Sequence, residues 1–179
     1  GLPLLAMELS RFLGYTFLWL PIVYVGTAVA GTDRTLSISV FVAITGQLWL
    51  TFSAWKVPGV PQQLVLVSPA LLLAGLGLLY GPVTRVARTQ SEERTILYNK
   101  LKHIMAIGWF GQVMTVVVHP STLGWTTVFT DWVTIMYVEL VLVGAFVLVV
   151  LNNADTFGTI SADGTAESSD DQLSPEVGV

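Results

Sequence analysis

Cysteine is absent from the 179 residues, hydrophobic side chains make up 53% of them, and the mean hydropathy is +0.71. This excludes a disulfide framework, a thiolate nucleophile and a cysteine metal site, and it places the chain among integral membrane proteins. The net charge of −4 is unevenly spread: residues 159–179 carry five acidic and no basic side chains, while the remainder carries eight basic against seven acidic.

The chain begins at Gly1 without a methionine, shows no basic segment before GLPLLAM, and enters its first apolar stretch after only about ten residues. It reads as a processed or truncated product. Uncharged runs then approach the ~20 residues that ~30 Å of hydrocarbon requires of a helix, and they predict five spans: about 12–30, 35–55, 62–80, 102–118 and 126–151. The turns at Gly31–Arg34 and Lys56–Pro61 are short, so the helices they join should be antiparallel neighbours. A longer loop is predicted from Gly81 to about Lys102, holding Arg85, Arg88, Arg94, Lys100 and Lys102. Under the positive-inside rule that loop is cytoplasmic. The N-terminus is then external, the connection His119–Trp125 external and the C-terminal tail internal. Trp55, Trp125 and Trp132 fall near the external interface, as an aromatic belt would. The tail from 159 to 179 is rich in Ser, Asp, Glu and Gly and poor in large apolar residues, a composition that predicts disorder and a solvating role.

One ionisable group stands near the middle of the last span, Glu139. A carboxyl group in hydrocarbon is costly and faces a partner inside a bundle. Asp131, Ile135 and Glu139 lie at i, i+4 and i+8, so at ~100° per residue the two carboxylates differ by ~80° and share a broad face. Arg11, at the external end of the first span, is their expected partner, with a snorkelling interfacial anchor as the plainer role for it and a solvated helix-end charge as the plainer role for Asp131. Gln47 and Gln112 sit at mid-depth, where side-chain amides ordinarily hydrogen-bond between helices. Trp109 precedes Gln112 by three residues on the same face, and Gly108 and Gly111 around it permit close approach of a backbone or a ligand. No phosphate loop, metal-ligand cluster or nucleophile with its base is present, so no enzyme activity and no metal are expected. The basic run reads as a loop facing anionic headgroups rather than a nucleic-acid patch.

These residues carry a resemblance. From about Arg11 to Gly158 the chain resembles helices three to seven of the microbial (type 1, archaeal) rhodopsins. It shares an Arg entering the third helix and a proline within it (Arg11 and Pro21 in RFLGYTFLWLP), a tight following turn and a basic loop. It also shares a central Trp in the sixth helix (Trp109 in YNKLKHIMAIGWFGQ) and a seventh helix with a mid-membrane carboxylate ending at Phe157–Gly158. The resemblance implies an all-α, polytopic transmembrane bundle with five of the seven family helices, and a ligand pocket with Trp109, Tyr15, Trp19 and Val143 as wall candidates. In the family the seventh helix carries Asp-x-x-x-Lys, the lysine holding retinal as a Schiff base. Here the matching segment is Glu139-x-x-x-Val143. Lys56, Lys100 and Lys102 are expected in loops or at a helix end, where they cannot substitute. The carboxylate that follows the third-helix Arg in pumps corresponds to Gly14, and the proton-donor position falls near Gly26. The Tyr and Pro that follow the sixth-helix Trp correspond to Gln112 and Val113, and Asp131 matches an external carboxylate of the family's proton-release group.

The expected protein is therefore a cell-membrane, multi-pass opsin relative without covalent retinal or proton pumping, with a sensory, regulatory or structural role. A non-covalent retinal or other apolar ligand is the weaker expectation. The alternative is a transporter or channel subunit with a proton or ion path through Glu139, Arg11 and Asp131. Because Gln47, Gln112, Glu139 and Arg11 are not expected on one side of five helices, self-association or a separate membrane partner should cover them, through small-residue contacts such as those at Gly26 and Ala30.

Overall fold

A computed structural model describes residues 2–157 apart from 58, 62, 63, 65, 66 and 121, with side chains from residue 9 onward except those of residues 55 and 56. The predicted acidic tail and the side chain of Trp55 lie outside the described residues.

The protein is an all-α transmembrane bundle; no strand occurs among the described residues. Helix α1 (Leu2–Ala30) runs through Pro21 and ends at Gly31, whose φ of 71° lies in the left-handed region that a glycine enters without a Cβ clash. Helix α2 (Arg34–Lys56) is started by Asp33, whose side chain accepts from the Leu36 N–H at 2.9 Å. Helix α3 (Ser68–Leu78) passes into a π-helical segment (Leu79–Val83) and a final turn, α4 (Thr84–Ala87). Helix α5 (Glu92–Val118) has Ser91 as its N-cap, with Glu92 and Glu93 favourably placed against the positive end of the dipole. Helix α6 (Val128–Leu151) is capped by Thr127. Five segments are long and apolar enough to cross a bilayer: Leu9–Ala30, Arg34–Ala54, Ser68–Ala87, Glu92–Val118 and Val128–Leu151. The chain is a multi-pass membrane protein.

The predicted loop from Gly81 to Lys102 is corrected. The third span continues to Ala87 and α5 begins at Glu92, so only Arg88–Ser91 connects them. Of the basic side chains that lowered the hydropathy there, Arg85 sits on α4 and Arg94, Lys100 and Lys102 on α5, and Arg88 alone stays in the connection. Lys102 is well inside α5 and only 5% exposed, so the expectation that all three lysines occupy loops or a helix end fails for it.

α1 packs on α2 and on α5, α2 on α3, and α3 on α5, which closes a four-helix core. Trp19, Trp109, Tyr98, Ile44 and Leu101 lie at its centre. α6 rests chiefly on α5: Leu142 and Val138 seat against Gly108 and Gly111, where a Cβ would come within 2.5 Å and 3.0 Å of them. Only 17% of the α6 span is buried, against 50% of the α5 span. Gly26 faces Met105 of α5 and Ala30 is fully buried. The small-residue contacts expected to serve self-association are therefore internal to this chain.

Candidate functional site

Arg11, Tyr15 and Trp19 recur every four residues on α1 and form one inward stripe, as the helical period dictates. Gln47 and Thr51 do the same on α2, Trp109 and Gln112 on α5, and Asp131 and Ile135 on α6. Where these stripes meet, a layer of two tryptophans and two glutamines crosses the core. The Trp19 Nε1–H donates to Gln112 Oε1 at 3.0 Å and the Trp109 Nε1–H to Gln47 Oε1 at 3.2 Å. Gln47 Nε2 donates in turn to Thr51 Oγ1 at 3.2 Å, and the Thr51 hydroxyl meets Ser68 of α3. The Trp109 ring lies directly on Gly75 of α3, so that any side chain there would collide with it. Both indoles have zero exposure. In a membrane interior the alternative to such bonds is an unsatisfied polar group in a low-dielectric medium.

On one side of this layer, at the bundle end where α6 begins, lies a cavity of about 70 Å³ bordered by Arg11, Tyr15, Gln112, His119, Asp131 and Trp132. That is room enough for ordered water. Its polar lining is incompletely satisfied. Gln112 Nε2, a donor, and Asp131 Oδ1, an acceptor, are buried without a hydrogen-bond partner. Asp131 Oδ2 is 3.9 Å from His119 Nε2. Arg11 Nε donates to the Tyr15 hydroxyl at 2.6 Å, and its guanidinium stacks over Trp132 with the ring centre 4.4 Å away. Glu139 Oε1 is likewise buried without a hydrogen-bond partner. A donor, an acceptor and a cation around a small void can order water and pass a proton along it.

Arg11, Gln47 and Gln112, which with Glu139 were not expected on one side of the bundle, converge with Asp131 on one cavity. Glu139 is half-buried and does not border the cavity. The expected ion pair of Arg11 with a carboxylate is not formed: neither Asp131 nor Glu139 lies within 4 Å of it, and its Nε is bound to the Tyr15 hydroxyl instead. Of the predicted wall residues, Tyr15 borders the cavity, Trp19 and Trp109 form the hydrogen-bonded layer, and Val143 is half-buried on α6 next to Leu142. His119, Thr51 and Trp132 border the cavity but were not expected in it. Thr51 lies one turn after Gln47 and His119 two turns after Gln112, a spacing that points to the same side; Trp132, next to Asp131, has no such signal.

A second polar cluster surrounds Lys102. Its ammonium donates to Asn99 Oδ1 at 2.9 Å and to Thr84 Oγ1 at 3.3 Å, and lies over the Tyr80 ring at 4.7 Å. Tyr98 beside it donates to the Leu79 carbonyl at 2.6 Å. Among the described residues no group of three His, Asp or Glu side chains could hold a metal ion. No protein family's sequence profile matches the chain, and no curated protein matches it in sequence.

Proposed function

We propose that this chain is an opsin-related membrane protein, similar to helices three to seven of the microbial rhodopsins, that works without covalently bound retinal in a sensory, regulatory or structural role. The observation that carries the reading is the Trp19–Gln112 and Trp109–Gln47 layer: aromatic and amide groups fill the centre of the bundle and take up one another's polar atoms. Val143 stands where the resemblance puts the Schiff-base lysine, and Lys102, the one buried amine among the described side chains, is engaged by Asn99 and Thr84. Arg34, Arg85, Arg88, Arg94 and Lys100 gather at one end of the bundle. The positive-inside rule makes that end cytoplasmic in the cell membrane, with the cavity at the external end. The face of α6 that α5 leaves uncovered, with Glu139 half-buried in it, is where a second copy or a separate membrane partner would pack.

Addition of all-trans retinal to the purified protein tests the reading. The expected result is no red-shifted, hydroxylamine-sensitive visible band. A band that vanishes in Lys102→Arg would show that the buried amine had been recruited and would overturn it.

The unpartnered Gln112 and Asp131 atoms favour a second reading, a proton or ion path through Glu139, Arg11 and Asp131. Proteoliposomes under an imposed proton gradient discriminate between the two. Flux above protein-free vesicles that falls in Glu139→Gln would transfer the function to this class.

A further inference from the structure

The outer faces of α1 and α2 enclose a groove of about 550 Å³, within the size range of ligand sites. Its walls are Leu20 and Tyr24 of α1 and Ile38 and Phe41 of α2, and its floor is Val23 and Thr27. Leu20, Tyr24 and Ile38 are 51%, 70% and 49% exposed, so the groove opens to lipid rather than to the core. From Leu20 to the turn at Thr32 the groove follows α1 for about 18 Å at ~1.5 Å per residue, close to the ~15 Å of one leaflet's hydrocarbon.

The far end of the groove is polar and positive. Arg34, the first residue of α2, closes it and makes no ion pair among the described residues. Arg94 of α5 reaches the same turn, donating to the Ala28 and Val29 carbonyls at 3.0 Å and 3.2 Å, and also lacks a carboxylate partner. The acid at this turn, Asp33, has its Oδ1 held by the Leu36 N–H. The Thr27 and Thr32 hydroxyls donate to backbone carbonyls and so add no free charge. The Arg34 guanidinium at the membrane–water boundary, above an apolar trough one leaflet deep, has the complementarity of a single lipid molecule.

We propose that the α1–α2 groove seats one anionic phospholipid, its acyl chain along Leu20, Tyr24, Ile38 and Phe41 and its phosphate on Arg34. A zwitterionic lipid carries its own cation beside the phosphate and gains less from the same site. The proposal does not depend on the opsin reading.

Native mass spectrometry of the full chain in detergent tests it, with phosphatidylglycerol and phosphatidylcholine of identical acyl chains as probes. One phosphatidylglycerol per chain should be retained with about a fivefold preference over phosphatidylcholine. Arg34→Gln, an exposed position outside the core, should erase the preference. Ile38→Trp should fill the trough and lower retention of both lipids, with helicity unchanged by circular dichroism. Equal retention of the two lipids by the natural sequence, or an undiminished preference in Arg34→Gln, would overturn the proposal. So would competition by millimolar glycerol phosphate, which would make the site one for a soluble phosphate. A dimer that Ile38→Trp converts to monomer would assign the groove to a second copy and overturn it equally.

Discussion

The two ends of the bundle hold similar polar side chains and use them differently. At the end where α1 stops and α5 starts, Arg94 closes the last carbonyls of α1, Thr95 donates to the Ala87 carbonyl at 2.8 Å, and both Tyr98 and Thr84 donate to the Leu79 carbonyl. At the opposite end Gln112 and Asp131, which border the cavity, each keep a buried side-chain atom without a hydrogen-bond partner. Polar groups that terminate helices are part of the scaffold. Polar groups held open around a void are what a solvated or proton-carrying site requires.

Three substitutions test that contrast, compared by reversible unfolding in mixed micelles. Trp109→Ala removes a fully buried indole from its seat on Gly75 and leaves Gln47 Oε1 without its donor; it should cost about 3–5 kcal/mol and mark the layer between the two ends as the stability centre. A cost below about 1 kcal/mol would mean that the layer is not the centre of the fold. Arg94→Ala should cost less, about 1–2 kcal/mol, since two charge-assisted bonds to α1 are lost from a half-buried position. Asp131→Asn should have the smallest effect, under about 1 kcal/mol, because one oxygen has no partner and the other is at the long distance of 3.9 Å from His119. If Asp131→Asn proved costlier than Arg94→Ala, the cavity end would be scaffold too and the contrast would collapse.

The spans were legible because a bilayer demands length and apolarity together, and those can be counted along a chain. Their ends were not. Thr84–Arg88 and Glu92–Lys102 are rich in charged and polar residues, and a hydropathy reading turns such segments into loop, although Ser91 followed by Glu92 and Glu93 is a helix start. The inward side of α6 was legible in part from the i, i+4, i+8 spacing of Asp131, Ile135 and Glu139. The partnership of one helix with another was not. Trp19 and Gln112 are 93 positions apart and Trp109 and Gln47 are 62, and no local pattern pairs them. For the same reason Arg11 was assigned to a carboxylate by charge alone, whereas packing gave it the Tyr15 hydroxyl and the Trp132 face. Lys102 was misplaced because a lysine near the predicted start of a span looks interfacial until the neighbouring helix, with Thr84 and Tyr80, is seen to cover it.

The π-helical segment at Leu79–Val83 constrains chain length as well as composition. Pro82 inside it lacks an N–H and its ring would crowd the carbonyl four residues back in a regular helix. The wider turn accommodates it, and the Leu79 carbonyl at its start accepts from the side-chain hydroxyls of Thr84 and Tyr98. Such a turn holds one residue more than the α-helical ladder would. Deleting Gly81 would close the wide turn and press the proline ring against the carbonyl one turn back. The strain would fall on the turn carrying Thr84 and Ala87, whose oxygens Lys102 and Thr95 of α5 reach. At this point the bundle tolerates a change of side chain more readily than a change of count.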